Sequence, residues 1–377
     1  MAPLRVQLVD PPAFTPPYDR SLSAALAAEG LDVELVTSRF AYGPVPPAVG
    51  YEVSEPFYRT SARIGLDHPR LRQAARAAEH VPGMLAYRRR ASNADLVHWQ
   101  WLSIPRLDRH LLAPKRPRVY TMHWRLPPRA SRLGAVLADL LARMDAVVSH
   151  TEDGRIRLVG EFGVPEDRLE VIPHGALDYL ADQPDEQELP DELASVEGPV
   201  VLAFGLIRPY KGVDVLLEAF QGIEGAELWV VGMPMVPMEP LREQASRCRS
   251  RVRFVDRFVS DREIPAFMRR ADLVVLPYRE IQQSGVLYAA LAFGKPLLLT
   301  DVGGFPEVAA HGAARLVAPS DPAALAAALG DLIEAPDELA RLAEASEAAA
   351  RGPYSWSEAA TRTKALYDRL LGQAAGR

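Results

Sequence analysis

The stretch DLVVLPYREIQQSGVLYAALAFGKPLLLT, Asp272–Thr300, decides the fold. Leu273–Leu276 is a short, continuous apolar run that stops at Pro277, as expected of a strand buried on both faces. A polar loop, Tyr278–Ser284, follows. From about Gly285 the apolar residues run long enough to wind a helix, which Gly294 ends. Leu297–Thr300 then starts another strand. Strand, helix, strand is the repeating unit of a parallel sheet. Ligands of such sheets sit outside the carboxyl ends of the strands, where the next helix begins. A helix start there offers unpaired N–H groups and about half a positive charge. Ser284 and Gly285 keep bulk away from those groups, so the turn reads as a phosphate seat. A serine N-cap followed by a tolerated glycine fits it equally well.

The same alternation extends in both directions. RVQLVD (5–10), DVELVT (32–37), DLVHWQ (95–100), RVYTMH (118–123) and AVVSHT (146–151) read as buried strands of a first half. VVLAFG (200–205), ELWVVG (227–232) and VRFVD (252–256) join the opening stretch in a second. Helical patterns lie between them, among them RSLSAALAAEG (20–30), LGAVLADLLARM (133–144) and VDVLLEAFQG (213–222). The expected class is α/β, with doubly wound parallel sheets. The pattern breaks between Pro173 and Pro199, in an acidic, proline-bearing stretch that reads as a linker at about 176–199. The expected division is 1–175, 176–353 and a terminal helix in 354–377.

Composition narrows the classes. The 377 residues suit two or three domains. No apolar run reaches the ~18 residues of a membrane span, and MAPLRVQLVDPP enters a strand without a signal-peptide core. The single cysteine, Cys248, excludes an internal disulfide and suits a reducing cytoplasm. HExxH and CxxC are absent, so no metal is expected. The net charge of −6 and the lack of a recognition motif argue against nucleic acid. Residues 1–180 carry a net +3 and the remainder −9. The Arg- and Ala-rich stretch Pro69–Ala91, with Arg70, Arg72, Arg76 and Arg88–Arg90, is either a solvated helix face or a weak peripheral contact for anionic lipid.

Two further loops carry chemistry. FGLIRPYKGVDVLLEAF (204–220) places Arg208 and Lys211 between a strand and a helix, where two cations can neutralise a diphosphate. TDVGGFPEV (300–308) lets backbone approach a ligand at Gly303 and Gly304, and sets Glu307 near a helix start.

These segments together resemble the signature of glycosyltransferase family 4. YTMHW (120–124), VVSHTEDGRIRLVGEFGVPEDRLEVIPHG (147–175) and YSWSEAATRTKALY (354–367) resemble further family segments in the same order. The family's enzymes are retaining, nucleotide-sugar-dependent transferases of the GT-B fold. The resemblance therefore implies two Rossmann-like domains facing across a cleft, with the last helix returning to the first. It implies a nucleoside-diphosphate sugar as donor, no required cofactor or metal, and an acceptor hydroxyl of unknown identity. Gly205, Arg208, Lys211, Ser284 and Gly285 would hold the diphosphate, with Glu307 at the donor end. Phe258 and Val259 would read the base through their backbone. Gly303, Gly304 and Phe305 would border the donor sugar, and His123 would lie near it.

The sequence departs from the family in two places. Family members carry two glutamates eight positions apart; counted back from Gly294, those positions hold Ala289 and Ile281. Glu280 is the neighbour that could replace the first. The first loop, PPAFTPPYDRSL (11–22), lacks the family's Gly-Gly. Tyr18 and Asp19 there either begin and cap a helix or shape an acceptor pocket. His98, Trp99 and Trp101 end another strand, as core residues or as stacking partners for an acceptor. Two alternative functions remain open at this level: a nucleotide-sugar epimerase and a silent nucleotide-binding partner. A dinucleotide-dependent Rossmann enzyme is disfavoured, since no GxGxxG follows either first strand.

Overall fold

The computed structural model describes residues 3–113, 117–281 and 283–375. The chain divides into two compact units, Met1–His174 with Trp356–Arg377, and Gly175–Ser355.

The first unit is built on a parallel sheet of β1 (Arg5–Asp10), β2 (Asp32–Ser38), β3 (Glu52–Phe57), β4 (Leu96–Trp99), β5 (Arg118–Thr121), β6 (Ala146–Ser149) and β7 (Leu169–Val171). Its strand order is β3-β2-β1-β4-β5-β6-β7. The second unit has β8 (Val200–Phe204), β9 (Glu227–Val231), β10 (Val252–Val255), β11 (Leu273–Leu276), β12 (Leu297–Thr300) and β13 (Ala314–Val317), in the order β10-β9-β8-β11-β12-β13. Both are doubly wound. The winding reverses between β1 and β4, and again between β8 and β11. Those switch points open a crevice at the carboxyl ends of the strands.

The apolar runs are continuous because each strand feeds two cores. Leu202, Val274, Leu276, Leu297 and Leu299 pack on one side of the second sheet with Trp229 and Phe267. Val201, Val275 and Leu298 pack on the other with Leu216, Leu217 and Phe220. This alternation is the period of two that any strand imposes on its side chains.

All ten strands read from the sequence are present. The three that were not read, β3, β7 and β13, are edge strands. An edge strand is half-buried and short of apolar residues: EVSEPF in β3 keeps Glu52 and Glu55 exposed and tolerates Pro56.

The terminal helix, Trp356–Ala375, belongs to the first unit. Trp356, Ala360, Leu366 and Tyr367 share a core with Tyr18, Leu22 and Leu26 of the helix Pro16–Ala28. Arg369 reaches Glu170 at 2.9 Å. The acidic stretch 176–199 packs into the second unit. It forms the short helices Asp178–Ala181 and Asp191–Ala194, and it buries Ala176, Leu180 and Leu193. Asp19 does not cap a helix. Pro16 and Pro17 start that helix earlier, with Thr15 at the N-cap position, and Asp19 is buried within the first turn.

Candidate active site

The loop after β8 and the loop after β11 meet at the second unit's switch point. Pro209–Lys211 forms a tight 3-10 turn, and the Arg279 amide donates to the Tyr210 carbonyl at 2.8 Å. The Arg279 guanidinium grips Asp214 through two bonds of 2.9 and 2.6 Å. This fork-to-fork pair fixes one loop against the other. Lys211 is thereby turned inward, with its Nζ 5.1 Å from the centre of the Tyr278 ring.

The helix Gly285–Ala292 begins in the same place. Ser284 precedes it and is buried, but its hydroxyl lies 3.2 Å from the Tyr278 hydroxyl and makes no capping bond. The Leu287 amide donates to the Ser284 carbonyl at 3.0 Å, so the Gly285 and Val286 N–H groups are the ones a ligand can take. Gly205 closes the third side. Its φ of +101° suits glycine, and a Cβ there would lie 2.8 Å from Lys211 Nζ and 3.0 Å from Val286 Cγ2. The ammonium and the helix start thus converge on one glycine.

Together they line a cavity of about 320 Å³. Burial, and secondarily the charge of Arg208, lowers the Lys211 pKa from 10.5 to about 8. An ammonium held in so poor a solvent gains strongly from an incoming anion.

Not every expected residue joins this cavity. Arg208 and Glu280 are both exposed, and both line a neighbouring groove of about 860 Å³ with Ile207, Val213, Val236 and Leu241. That groove is the larger of the two, but it has neither Lys211 nor the helix start. Ile281 and Ala289 line the smaller cavity, so its wall is apolar at both positions where the family has glutamates. The Phe258 side chain is exposed and its carbonyl accepts from Arg257 at 2.9 Å, while the Val259 side chain is core. Gly303 takes a φ of +52° and Gly304 precedes the helix Phe305–Ala310. The Phe305 side chain is turned into the core, 5.4 Å from the Tyr278 ring, so only its backbone is available to a sugar. Glu307 is half-buried near Tyr354, whose proton it helps to hold.

At the carboxyl ends of the first sheet a different cluster forms. His150 Nδ1 faces the Ile172 carbonyl at 2.8 Å and must donate to it. Burial lowers the His150 pKa to about 4, so the ring is neutral and its Nε2 accepts. The donor is His123 Nδ1 at 3.3 Å. His123 Nε2, 2.8 Å from the Gln100 amide, then has only a lone pair. The Gln100 amide nitrogen must therefore face it, which also satisfies a buried Nε2 otherwise without a partner. Burial, with further contributions from His150 and His174, holds His123 neutral. Trp101 stacks on His123 at 5.5 Å, and Tyr18 meets it edge-on at 4.6 Å.

His98 and Trp99 are core rather than surface. His98 is tied to Tyr367 and Thr121, at 2.6 Å each, and burial lowers its pKa to about 3. Trp99 is fully buried against Tyr87. Tyr18 is buried as well, with its ionisation pushed up by desolvation. Asp10 and Asp19 stand together in the core, each with an Oδ1 that has no donor. A proton shared by the two supplies it. Burial raises both pKa values, Asp10 to about 6. Asp10, Gln100, His150, Tyr210 and Tyr278 had no signal in the sequence. Each reads there as an ordinary residue at or near a strand end.

Comparison with known proteins turns this geometry into a family. Residues 20–176 match the model described as Glycosyltransferase Family 4, and residues 198–335 the one described as Glycosyl transferases group 1. A D-inositol 3-phosphate glycosyltransferase of Xylanimonas cellulosilytica is 30% identical over 93% of this chain and 90% of its own. The chain belongs to glycosyltransferase family 4. It is a sugar-transferring enzyme, and its two parallel-sheet units are those of the GT-B fold. Part of a second relative, a GDP-mannose:glycolipid 4-beta-D-mannosyltransferase of Xanthomonas campestris pv. campestris, is 35% identical over 34% of this chain and 36% of that one. Among solved structures, sucrose-phosphate synthase of Thermosynechococcus elongatus superposes with a TM-score of 0.73 at 19% identity, over 98% of this chain and 100% of the other. HepE of Anabaena, solved with UDP, gives 0.71 at 19% over 97% and 100%. Among the described residues no helix is long and apolar enough to cross a membrane.

Proposed function

We propose that this glycosyltransferase takes a nucleoside-diphosphate sugar as donor and transfers the sugar, with retained configuration, to an acceptor hydroxyl. One observation carries the reading: Lys211 and the opening N–H groups of Gly285–Ala292 converge on Gly205 around a cavity sized for a diphosphate and its neighbours. As the glycosidic bond breaks, charge accumulates on the departing diphosphate. A lysine and a helix start already in place stabilise it without reorganisation. Arg208, from the rim, adds a second cation. The departing phosphate oxygen then accepts the proton of the acceptor hydroxyl on the same face.

Neither Ile281 nor Ala289 can supply a carboxylate, so stabilisation of the leaving group dominates the catalysis. The anomeric carbon, with oxocarbenium character, receives little help from the cavity wall. Phe258 and Val259 offer backbone groups to the base. Gly303, Gly304 and the Phe305 backbone, with Glu307, border the sugar. The named relatives act on an inositol phosphate and a glycolipid, and we infer that the acceptor belongs to one of these polyhydroxylated classes.

The helix Pro69–Arg90 exposes Leu71, Val81 and Leu85 beside Arg70 and Arg89, which supports peripheral contact with an anionic bilayer. Arg76 is bonded to the Pro12 carbonyl, and Arg90, although exposed, is paired with Glu34, so both add little to such contact. Sedimentation with anionic vesicles at low salt tests it, and absence of binding ends the idea.

The donor site is tested by calorimetric titration of UDP and GDP into the wild type and Lys211→Ala. Loss of binding in the variant supports the site; undiminished affinity and turnover would falsify it.

A further inference from the structure

A buried polar chain in the first unit has no part in the donor site. Asp108 Oδ2 accepts from the Ile104 amide at 2.7 Å, and Asp108 Oδ1 lies 2.7 Å from His80 Nε2. His80 Nδ1 lies 2.7 Å from the Tyr58 hydroxyl, which lies 2.7 Å from Ser103 Oγ. Asp108, His80 and Tyr58 are 0%, 2% and 5% exposed, whereas Ser103 is half-buried and ends the chain at the surface.

The Tyr58 hydroxyl has one proton for two bonds. With His80 neutral, Tyr58 donates to His80 Nδ1, Ser103 donates inward, and the Ser103 lone pairs face outward. With His80 protonated, Nε2 still donates to Asp108, the His80–Tyr58 and Tyr58–Ser103 bonds reverse, and Ser103 donates outward. Arg76 and Asp108 are the charged groups that act on Tyr58, while the neighbouring Glu79 is bonded to the Thr60 and Ser61 amides. A substrate hydroxyl both donates and accepts, so it suits either polarity. A carboxylate or an ammonium suits only one.

The surroundings fit such a ligand. Ser103 follows β4 and the Phe14 loop follows β1, so both stand at the first sheet's switch point. Phe14 is 59% exposed and packs edge-on to Trp101 at 5.1 Å. Trp101 is held by a 2.7 Å bond to Thr15 Oγ1. Arg76 covers the Tyr58 ring at 4.3 Å and ties down Pro12 at 2.9 Å. Ala13 and Tyr58, with φ of +54° and +53°, are two of the three left-handed non-glycine residues among those described. Strain of this kind persists where the surroundings over-determine a functional conformation.

We propose that Ser103 binds a hydroxyl of the acceptor substrate, that Asp108, His80 and Tyr58 are positioning residues that hold the serine hydroxyl in place, and that the substrate presents a polyhydroxylated ring lying against Phe14. The assignment rests on the transferase reading for its function, but its binding test is independent of the donor.

Saturation-transfer NMR with myo-inositol, methyl α-D-mannoside and methyl α-D-glucoside, each without nucleotide, reads the site directly. The wild type binds at least one of them. Tyr58→Phe and Ser103→Ala weaken that binding on the order of tenfold, and Ser103→Thr, which keeps the hydroxyl, restores it. UDP and GDP affinity stays at the wild-type value in all three variants, which also reports that they fold. Failure of the wild type to bind any ring, or unchanged binding in both Tyr58→Phe and Ser103→Ala, overturns the proposal. Failure of nucleotide binding in the wild type would instead count against the donor reading alone.

Discussion

At the second unit's switch point an ammonium and a helix start face an open cavity, and apolar Ile281, Val286 and Ala289 complete its wall. At the corresponding edge of the first unit, burial holds His98, His123 and His150 neutral, and His174, Trp101, Trp356 and Tyr18 pack around them. The two sheets share a winding, and the loops at their carboxyl ends differ. One set leaves positive charge uncompensated, as an anion requires. The other presents aromatic faces and uncharged hydrogen-bonding groups, as a sugar or cyclitol requires. A shared winding therefore says where ligands bind in each unit and nothing about what they are.

The contrast can be broken first at Lys211. Lys211→Ala is expected to weaken UDP or GDP binding on the order of 100-fold, read by calorimetry, because a charge-assisted bond in a partly desolvated site is lost. His123→Ala tests the other side. Transfer should fall by roughly 10- to 100-fold through lost positioning, with nucleotide affinity unchanged. A parallel loss of nucleotide affinity would show that the two edges do not divide the labour.

A pH series sharpens the same contrast. The Lys211 pKa is lowered to about 8, so the free enzyme sheds that proton between pH 7 and 9. Nucleoside diphosphate affinity should weaken about tenfold over that interval, and the slope should vanish in Lys211→Ala. In the first unit the slope belongs to stability. The Asp10 pKa is raised from 3.8 to about 6, so its contribution is complete below pH 4 and is lost as pH rises through 6. Asp10→Asn keeps an acceptor for the Phe14 and Thr15 amides and cannot ionise. Its Tm relative to wild type should be higher at pH 8 than at pH 5, by about 2–4 °C. The smallest expected effect is that of Glu280→Gln. An exposed side chain outside the cavity should change turnover by less than about threefold, whereas a 100-fold loss would move the reaction into the larger groove.

Much of this was legible before any coordinates. Continuous apolar runs bounded by Gly and Pro located every interior strand, because a strand with two buried faces is mostly apolar and carries polar residues such as Gln7, Glu34 and His98 only where they are hydrogen-bonded. Edge strands β3, β7 and β13 escaped, since only half of each is buried. Lys211, Ser284 and Gly285 could be read as a phosphate seat because strand, loop and helix are contiguous in the chain. His98, Trp99 and Phe305 illustrate the limit. Residue type and a place at or just beyond a strand end suggest a ligand contact, but direction along the pleat sends His98 and Trp99 into a core, and the first turn of the helix Phe305–Ala310 does the same to Phe305.

The sequence by itself determined the strand–helix alternation, the two-unit organisation and the family, all of which are written in short-range pattern. Only the tertiary structure decided that Arg208 and Glu280 stand outside the cavity that Lys211 enters, and that Ile281 and Ala289 line it. It alone joined Asp108, His80, Tyr58 and Ser103, which lie up to fifty residues apart. Side-chain direction and the meeting of distant loops depend on how sheets wind and helices pack. No local window of residues contains that information.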